Sequence, residues 1–349
     1  MRLTYLHIHN FKSIRSMEIR DIDRALIFVG KNNTGKTSIL DAVCAVCGCY
    51  EIQARDFNEN RQAIRIDACF SIEEEDLHLF HHMGIVSQYR RYDVWRRVFS
   101  ERLPSFKDGE LSFTLHVNQD GKVRYEDLYR KNNPYIHMVM PRIYRINAER
   151  ELNQLQNDLL MFQEDEELRR LRSGSCIFER AKKCNHCFQC IGLINQKKPE
   201  ELSAFETARL LEFKIYQLNL IGFSRKVNEN FFKNGGYEEI QYTLNFDADQ
   251  LFTVEVTAHN RQRGSVKPVE LMGKGMRSIY MLSLLETYIS EQGRIPSIIV
   301  VEDPEIFLHP QLQKSCSEIL YRLSKKNQVI FKTHSPDLLF NFSIRQIRQ

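Results

Sequence analysis

The chain has 349 residues, is 42% hydrophobic and 27% charged, and carries a formal net charge of +4. Such a chain can hold one large globular domain with an insertion, or two domains. No apolar run approaches bilayer length, which argues against a membrane partner and makes a cytoplasmic location the simple expectation. No long basic tract appears, so the charge permits a DNA partner without arguing for one.

In chain order, Leu3, Tyr5 and His7 alternate with Thr4, Leu6 and Ile8, which predicts a strand, and a short second strand follows near Met17 to Ile19. The apolar run Ala25 to Val29 predicts a third strand, and Ile39 to Val46 predicts a helix. Between them lies Gly30-Lys31-Asn32-Asn33-Thr34-Gly35-Lys36-Thr37-Ser38, a G-x-x-x-x-G-K-T phosphate loop in the strand–loop–helix setting it requires. Gly30 and Gly35 let backbone N–H groups of residues 32–38 turn around a polyphosphate. Lys36 is placed to reach the β- and γ-phosphates, Thr37 to offer its hydroxyl to Mg²⁺, and the helix start to meet the anion.

Cys44, Cys47 and Cys49 are expected to pack against the sheet. Strands are predicted over 63–72, 111–117, 123–128 and 143–146, with a hairpin turn at Asn118-Gln119-Asp120-Gly121 and a helix over 74–82. Arg90, Arg91, Arg96 and Arg97 surround Tyr92 and Trp95. That mixture is either the wet face of an amphipathic helix or a grip on a nucleic-acid backbone.

From Glu149 to Leu171 the chain is rich in Gln and Glu and lacks Gly and Pro. A second helical stretch over 199–232 places Ala204, Ala208, Leu211, Ile215 and Leu218 in heptad steps. The pair reads as an antiparallel arm, or as two surface helices packed on the sheet. Cys176, Cys184, Cys187 and Cys190 fall between them. Four thiolates suit a tetrahedral structural Zn²⁺, with His186 able to replace Cys176; an iron–sulfur cluster and unmetallated thiols stay open. Strands are expected again over 239–245 and 251–257.

Gly273 and Gly275 precede a helical pattern over 279–289, another amide-rich helix start suited to a γ-phosphate. The apolar run Ile298 to Val301 ends in Glu302-Asp303, as a buried parallel strand does when its tip meets a ligand. Glu302 is suited to hold Mg²⁺ and Asp303 to orient the attacking water. A further strand, Val329 to Phe331, ends in Lys332-Thr333-His334, where His334 can donate to a γ-phosphate and sense its loss. Alternating strands and helices around a phosphate loop predict an α/β head with a mixed sheet lobe.

Glu302-Asp303-Pro304-Glu305-Ile306-Phe307-Leu308-His309-Pro310 and Thr333-His334-Ser335-Pro336 resemble the ATPase domain of the OLD (overcoming lysogenisation defect) family, within the ABC-type ATPases of the SMC and RecF kind. Residues 3–14 are similar to that group's first strand and turn, and residues 271–278 to its signature segment. The resemblance covers about 1–50 and 265–340. It implies an ABC-type head in two parts, 1–148 and 234–349, flanking an arm insertion over 149–233 with a metal-binding tip. It also implies ATP and Mg²⁺, a homodimer or higher oligomer in which the signature of one protomer meets the ATP of the other, and control of a TOPRIM DNA nuclease, often in phage defence. Asp303 stands where a Glu is common, which implies slow turnover, and Lys274 stands where a small residue is common. No acidic nuclease segment follows Pro336 before Gln349. The expectation is a truncated chain, with a separately encoded effector or a nuclease-free, ATP-gated clamp as the other readings.

Overall fold

The computed structural model describes residues 1–31, 34–58, 62–147, 176–178, 187–217, 221–233, 256–260, 264–291 and 297–349. The chain divides into two compact units, Met1–Gln156 with Ala258–Gln349, and Asn157–Thr257. The expected arm helix over 149–171 and the strand over 239–245 lie outside the described residues, as does 251–257 apart from its last two positions.

In chain order the described elements begin with β1 (Arg2–Phe11), β2 (Ile14–Ile19), β3 (Ala25–Val29), α1 (Lys36–Val46), β4 (Ile64–Ser71), α2 (Glu74–His82) and α3 (Tyr92–Arg102). Next come β5 (Phe106–Lys107), β6 (Glu110–Val117), β7 (Val123–Glu126), α4 (Pro134–Val139) and β8 (Arg142–Ile146). The second unit contributes α5 (Ile191–Ile194), α6 (Ala204–Gln217) and α7 (Ile221–Lys233). The chain then forms β9 (Thr257–Asn260), β10 (Ser265–Pro268), α8 (Lys274–Glu291), β11 (Ser297–Glu302), α9 (Pro310–Lys326), β12 (Gln328–Thr333) and β13 (Ile347–Arg348).

Two sheets build the first unit. The first runs β2-β1-β4-β6-β5, with β7 also on β6, and its pairings are antiparallel. The second runs β13-β3-β12-β11-β8 and is parallel throughout. Every residue of β11 is buried, as expected for a parallel strand covered on both faces. Helix α1 packs against β12 of one sheet and β1 and β4 of the other. That position between two sheets explains why its residues are apolar nearly all round and buried from Ser38 to Val46.

Two expectations are corrected. Strict alternation in the first strand fails, because a register shift between Leu3 and Tyr5 puts Leu3 in the core with Leu6 and Ile8. In α6 the buried stripe is Phe205, Arg209 and Glu212, one residue out of step with the expected heptad seam, and Leu211 is 42% exposed. Arg209 donates to Glu212 and lies over the Phe205 ring, so the ion pair can be buried where a coiled-coil seam would be apolar. Trp95 is fully buried and donates through Nε1 to the Ile85 carbonyl, so it is a core residue and offers no face to a base.

Gln328, at the start of β12, joins the two sheets. Its Oε1 accepts from the Leu3 N–H at 2.9 Å, and its Nε2 donates to the carbonyls of Leu3 at 2.7 Å and Asp23 at 2.8 Å. Only 3% of this residue is exposed, so water cannot replace those bonds. Gln328→Ala is expected to lower the unfolding free energy by about 3 kcal/mol. Urea denaturation reads this, and a loss under about 1 kcal/mol would show that the contact between the sheets does not depend on it.

Candidate functional site

The parallel register decides what meets at the strand tips. Phe28 of β3 pairs with Lys332 of β12, and Lys332 pairs with Glu302 of β11. The C-terminal ends of three neighbouring strands therefore lie along one edge, where open α/β sheets bind ligands.

At the end of β3, Gly30 has φ of 145° and Gly35 has φ of 87°, conformations that side-chain-bearing residues resist. A Cβ on Gly35 would also stand 3.3 Å from the Ser13 hydroxyl. Gly35 caps α1, whose first turn begins at Lys36 and Thr37. Asn32 and Asn33 lie outside the described residues. The Lys36 ammonium is folded across the loop, donating to the Gly30 carbonyl at 3.0 Å, to the Lys31 carbonyl, and to Thr34 Oγ1 at 3.3 Å. A cavity of about 250 Å³ is bounded by Ser13, residues 34–38, Lys332 and His334.

Glu302 and Asp303 are 7% and 8% exposed. The Lys332 ammonium donates to Thr37 Oγ1 at 2.8 Å and lies 3.0 Å from Asp303 Oδ2 and 3.6 Å from Glu302 Oε2. Thr37 and Glu302, expected at one metal, thus converge on a single ammonium. On its other side Glu302 Oε1 accepts from Arg145 Nη2 at 2.6 Å and Nε at 3.2 Å. Arg145 Nη2 also lies 2.6 Å from Asp41 Oδ1 on α1. Asp41 Oδ2 is in turn 2.5 Å from the Lys12 ammonium, which stands 3.6 Å from Asp56 Oδ1. Burial pulls the Arg145 guanidinium towards neutrality, but its bond to Glu302 and the Asp41 and Glu302 charges outweigh that and hold it cationic. Lys12 is likewise held protonated, burial being outweighed by Asp41 and Tyr50.

This chain of alternating charge holds Asp56, Asp41, Glu302 and Asp303 against Lys12, Arg145 and Lys332. With Lys36 in the loop, four cations face four carboxylates, so carboxylates are on hand for a divalent cation and ammonium groups for a polyphosphate. The cavity beside the loop, the Lys36 ammonium and the Thr37 and Glu302 oxygens together fit Mg²⁺ and ATP.

His334 is exposed at the tip of β12 and borders the cavity, and its N–H donates to Glu305 Oε1 at 2.6 Å. The following turn is pinned: Thr333 Oγ1 accepts from Ser335 N–H at 3.0 Å, and Ser335 donates to Gln313 Oε1 at 2.6 Å.

Gly273 and Gly275 do not border this cavity. Gly273 is exposed at the start of α8, and an added Cβ there meets nothing within 4 Å. Gly275 sits inside the first turn, where a Cβ would stand 2.4 Å from the Phe307 carbonyl oxygen. Lys274 Nζ lies 4.4 Å from the Phe307 ring centroid. The signature helix therefore packs on the segment that follows Glu302-Asp303, a role for Gly275 that motif reading alone did not supply.

Cys190 is buried beside Ile191 and Ile194, Cys176 is half-buried, Cys187 is exposed, and Cys184 and His186 lie outside the described residues. Among the described residues these thiols are not brought together as a three-ligand group. Cys44 and Cys47 are buried as expected, whereas Cys49 is exposed beyond the end of α1.

A family model described as an AAA ATPase domain matches residues 1–339. The OLD nuclease of Thermus scotoductus is 30% identical over 78 residues, which is 22% of this chain and 15% of that protein. The Old nuclease of Escherichia phage P2 is 29% identical over 143 residues, 37% of this chain and 23% of that protein. The chain thus matches less than a quarter of the length of either relative. The Smc head domain with an extended coiled coil from Pyrococcus furiosus, bound to the C-terminal domain of ScpA, shares the fold at a TM-score of 0.52 and 15% identity. That match covers 97% of this chain and 91% of the other.

Two outcomes are expected. Gly275→Ala must displace the Phe307 backbone and should cost about 1–3 kcal/mol, while Gly273→Ala should change stability by under about 0.5 kcal/mol. Equal losses in thermal denaturation would contradict the packing role of Gly275. Burial pushes the Cys44 thiol up to about 12, so it stays protonated at pH 8, where iodoacetamide should label Cys187 and spare Cys44 and Cys47 until the protein unfolds. Labelling of all three at equal rates in the folded protein would contradict that burial.

Proposed function

The chain belongs to the AAA ATPase domain family, and we propose that it binds and hydrolyses ATP as the head of an OLD-type DNA nuclease. One observation carries this reading. Thr37 of the phosphate loop is joined through Lys332 to Glu302 and Asp303, and Lys36 and His334 border the cavity that Thr37 and Lys332 line.

Lys36 and the amides of the first turn of α1 hold the terminal phosphates. Thr37 and Glu302 hold Mg²⁺, which when bound neutralises phosphate charge. Asp303, buried and fixed by Lys332, takes up the proton of the attacking water. His334 reports the γ-phosphate to the turn that follows β12. Arg145 is a positioning residue: it ties Asp41 of α1 to Glu302 of β11, so that the loop helix and the carboxylate strand keep one separation.

Gly273 and Gly275 lie apart from the cavity of their own chain, which supports a homodimer in which each signature helix serves the partner's nucleotide. The two OLD nucleases support a nuclease as the controlled activity. The resemblance of residues 302–310 and 333–336 to the OLD family supports a nuclease of the TOPRIM type outside residues 1–349, DNA as its substrate, and phage defence or DNA processing in the cytoplasm as the setting. The spacing of Cys176, Cys184, Cys187 and Cys190 supports a structural Zn²⁺ in the inserted unit.

Steady-state ATP hydrolysis tests the core of this proposal. Lys36→Ala should abolish turnover. Asp303→Asn should retain nucleotide binding and lower turnover by about 10²–10⁴-fold, the usual worth of a general base. Double-stranded DNA should stimulate the unmodified protein. Equal turnover in the unmodified protein and Lys36→Ala would overturn the assignment of the site.

A further inference from the structure

The outer face of the antiparallel sheet carries a second cluster of chemistry-bearing side chains. His7 and His9 lie two residues apart on β1 and so share one face, and His7 pairs across the sheet with Asp67 of β4. One ligand atom from each of these three residues falls within 4.8 Å of the other two. The core lies on the opposite face, where Leu6 and Ile8 are fully buried. Packing of the core therefore does not account for two imidazoles and a carboxylate at these positions.

The distances suit a small cation. His9 Nε2 and His7 Nδ1 are 3.2 Å apart, and two ligands of a tetrahedral zinc stand about 3.3 Å apart. An imidazole pair joined by a hydrogen bond shows the same separation, so that distance alone does not choose. Asp67 does. Its Oδ1 accepts from Thr114 Oγ1 at 2.6 Å and from Arg65 Nε at 3.0 Å, while its Oδ2 points to His7 Nδ1 from 3.9 Å. The far ring nitrogen of His7, Nε2, is 3.2 Å from Ser16 Oγ on β2. Two of the three potential ligand residues are thus oriented from behind, His7 by Ser16 and Asp67 by Thr114 and Arg65. This is how metal sites fix their ligands. The side chains of His7 and Asp67 keep 25% and 22% exposure, so an ion can enter.

We propose that His7 Nδ1, His9 Nε2 and Asp67 Oδ2 form a binding site for a divalent transition-metal ion of the zinc type. Two imidazoles and one carboxylate on three fixed strand positions favour Zn²⁺ or Co²⁺ over Mg²⁺, which prefers an octahedral shell of oxygens. Three protein ligands leave a fourth tetrahedral position open to water or to an oxygen of a bound partner. The site is independent of the nucleotide cavity, because none of its three ligands borders that cavity.

Co²⁺ titration of the nucleotide-free protein in the presence of Mg²⁺ tests this. The proposal expects one equivalent of Co²⁺ whose visible d–d absorption comes without a thiolate charge-transfer band, which separates it from any ion on the cysteine cluster. That equivalent should vanish in His9→Gln and in Asp67→Asn, both on a solvent-facing surface, with the metal-free melting temperature unchanged. Thr114→Val should keep the site but weaken it about 10- to 100-fold, because it frees Asp67 to rotate. Unchanged stoichiometry and affinity in both His9→Gln and Asp67→Asn would overturn the proposal. So would a thiolate band accompanying every bound equivalent.

Discussion

Arg145 is the group on which the arrangement of the site depends. It stands between two carboxylates that are almost wholly withdrawn from water, Asp41 on the helix after the phosphate loop and Glu302 at the tip of β11. An unpaired charge in such a place costs several kcal/mol; Lys12 serves Asp41 and Lys332 serves Glu302, and Arg145 is the cation that the two carboxylates share. Nε and Nη2 of Arg145 both donate to Glu302 Oε1, and Nη2 also stands 2.6 Å from Asp41 Oδ1. Removing Arg145 takes away the direct charge link that it makes between the loop helix and the carboxylate strand.

The rest of the frame serves that contact. Parallel pairing brings the tips of β3, β12 and β11 to one edge in a fixed row. Helix α1 lies between two sheets, and Gln328 stitches the start of β12 to β1. The Ser13 hydroxyl, in the turn after β1, reaches the phosphate loop beside Gly35. The antiparallel sheet therefore supports the site from behind and also presents, on its far face, the histidine–aspartate cluster.

Much of this was readable in the chain. The phosphate loop, the carboxylate pair and His334 each sit at the end of a continuous apolar run, and buried parallel strands announce themselves that way. The charges that link these pieces were not readable. Arg145 looks like an ordinary charge on a half-buried strand, Lys12 like a turn residue, and Asp41 like a helix residue near the loop. The partner of Arg145 is set by strand register between segments more than a hundred residues apart, Val300 against Arg145, and Lys12 meets Asp41 only once the turn after β1 packs on α1. The extra residue in β1 broke the alternation rule locally, and a buried ion pair in α6 shifted the stripe that heptad counting proposed. In both places tertiary contacts outweighed the local pattern. Gly275 was legible as a glycine in a signature, but the carbonyl of Phe307 that excludes a side chain there was not.

A double-mutant cycle in single-turnover ATP hydrolysis addresses the central claim directly, using Arg145→Ala, Glu302→Gln and the two combined. If Arg145 acts by holding Glu302, the two losses should be strongly non-additive, and the double variant should be little slower than Glu302→Gln alone. Additive losses would mean that Arg145 and Glu302 contribute independently, and the charge-linked site described here would not be the unit that turns over ATP.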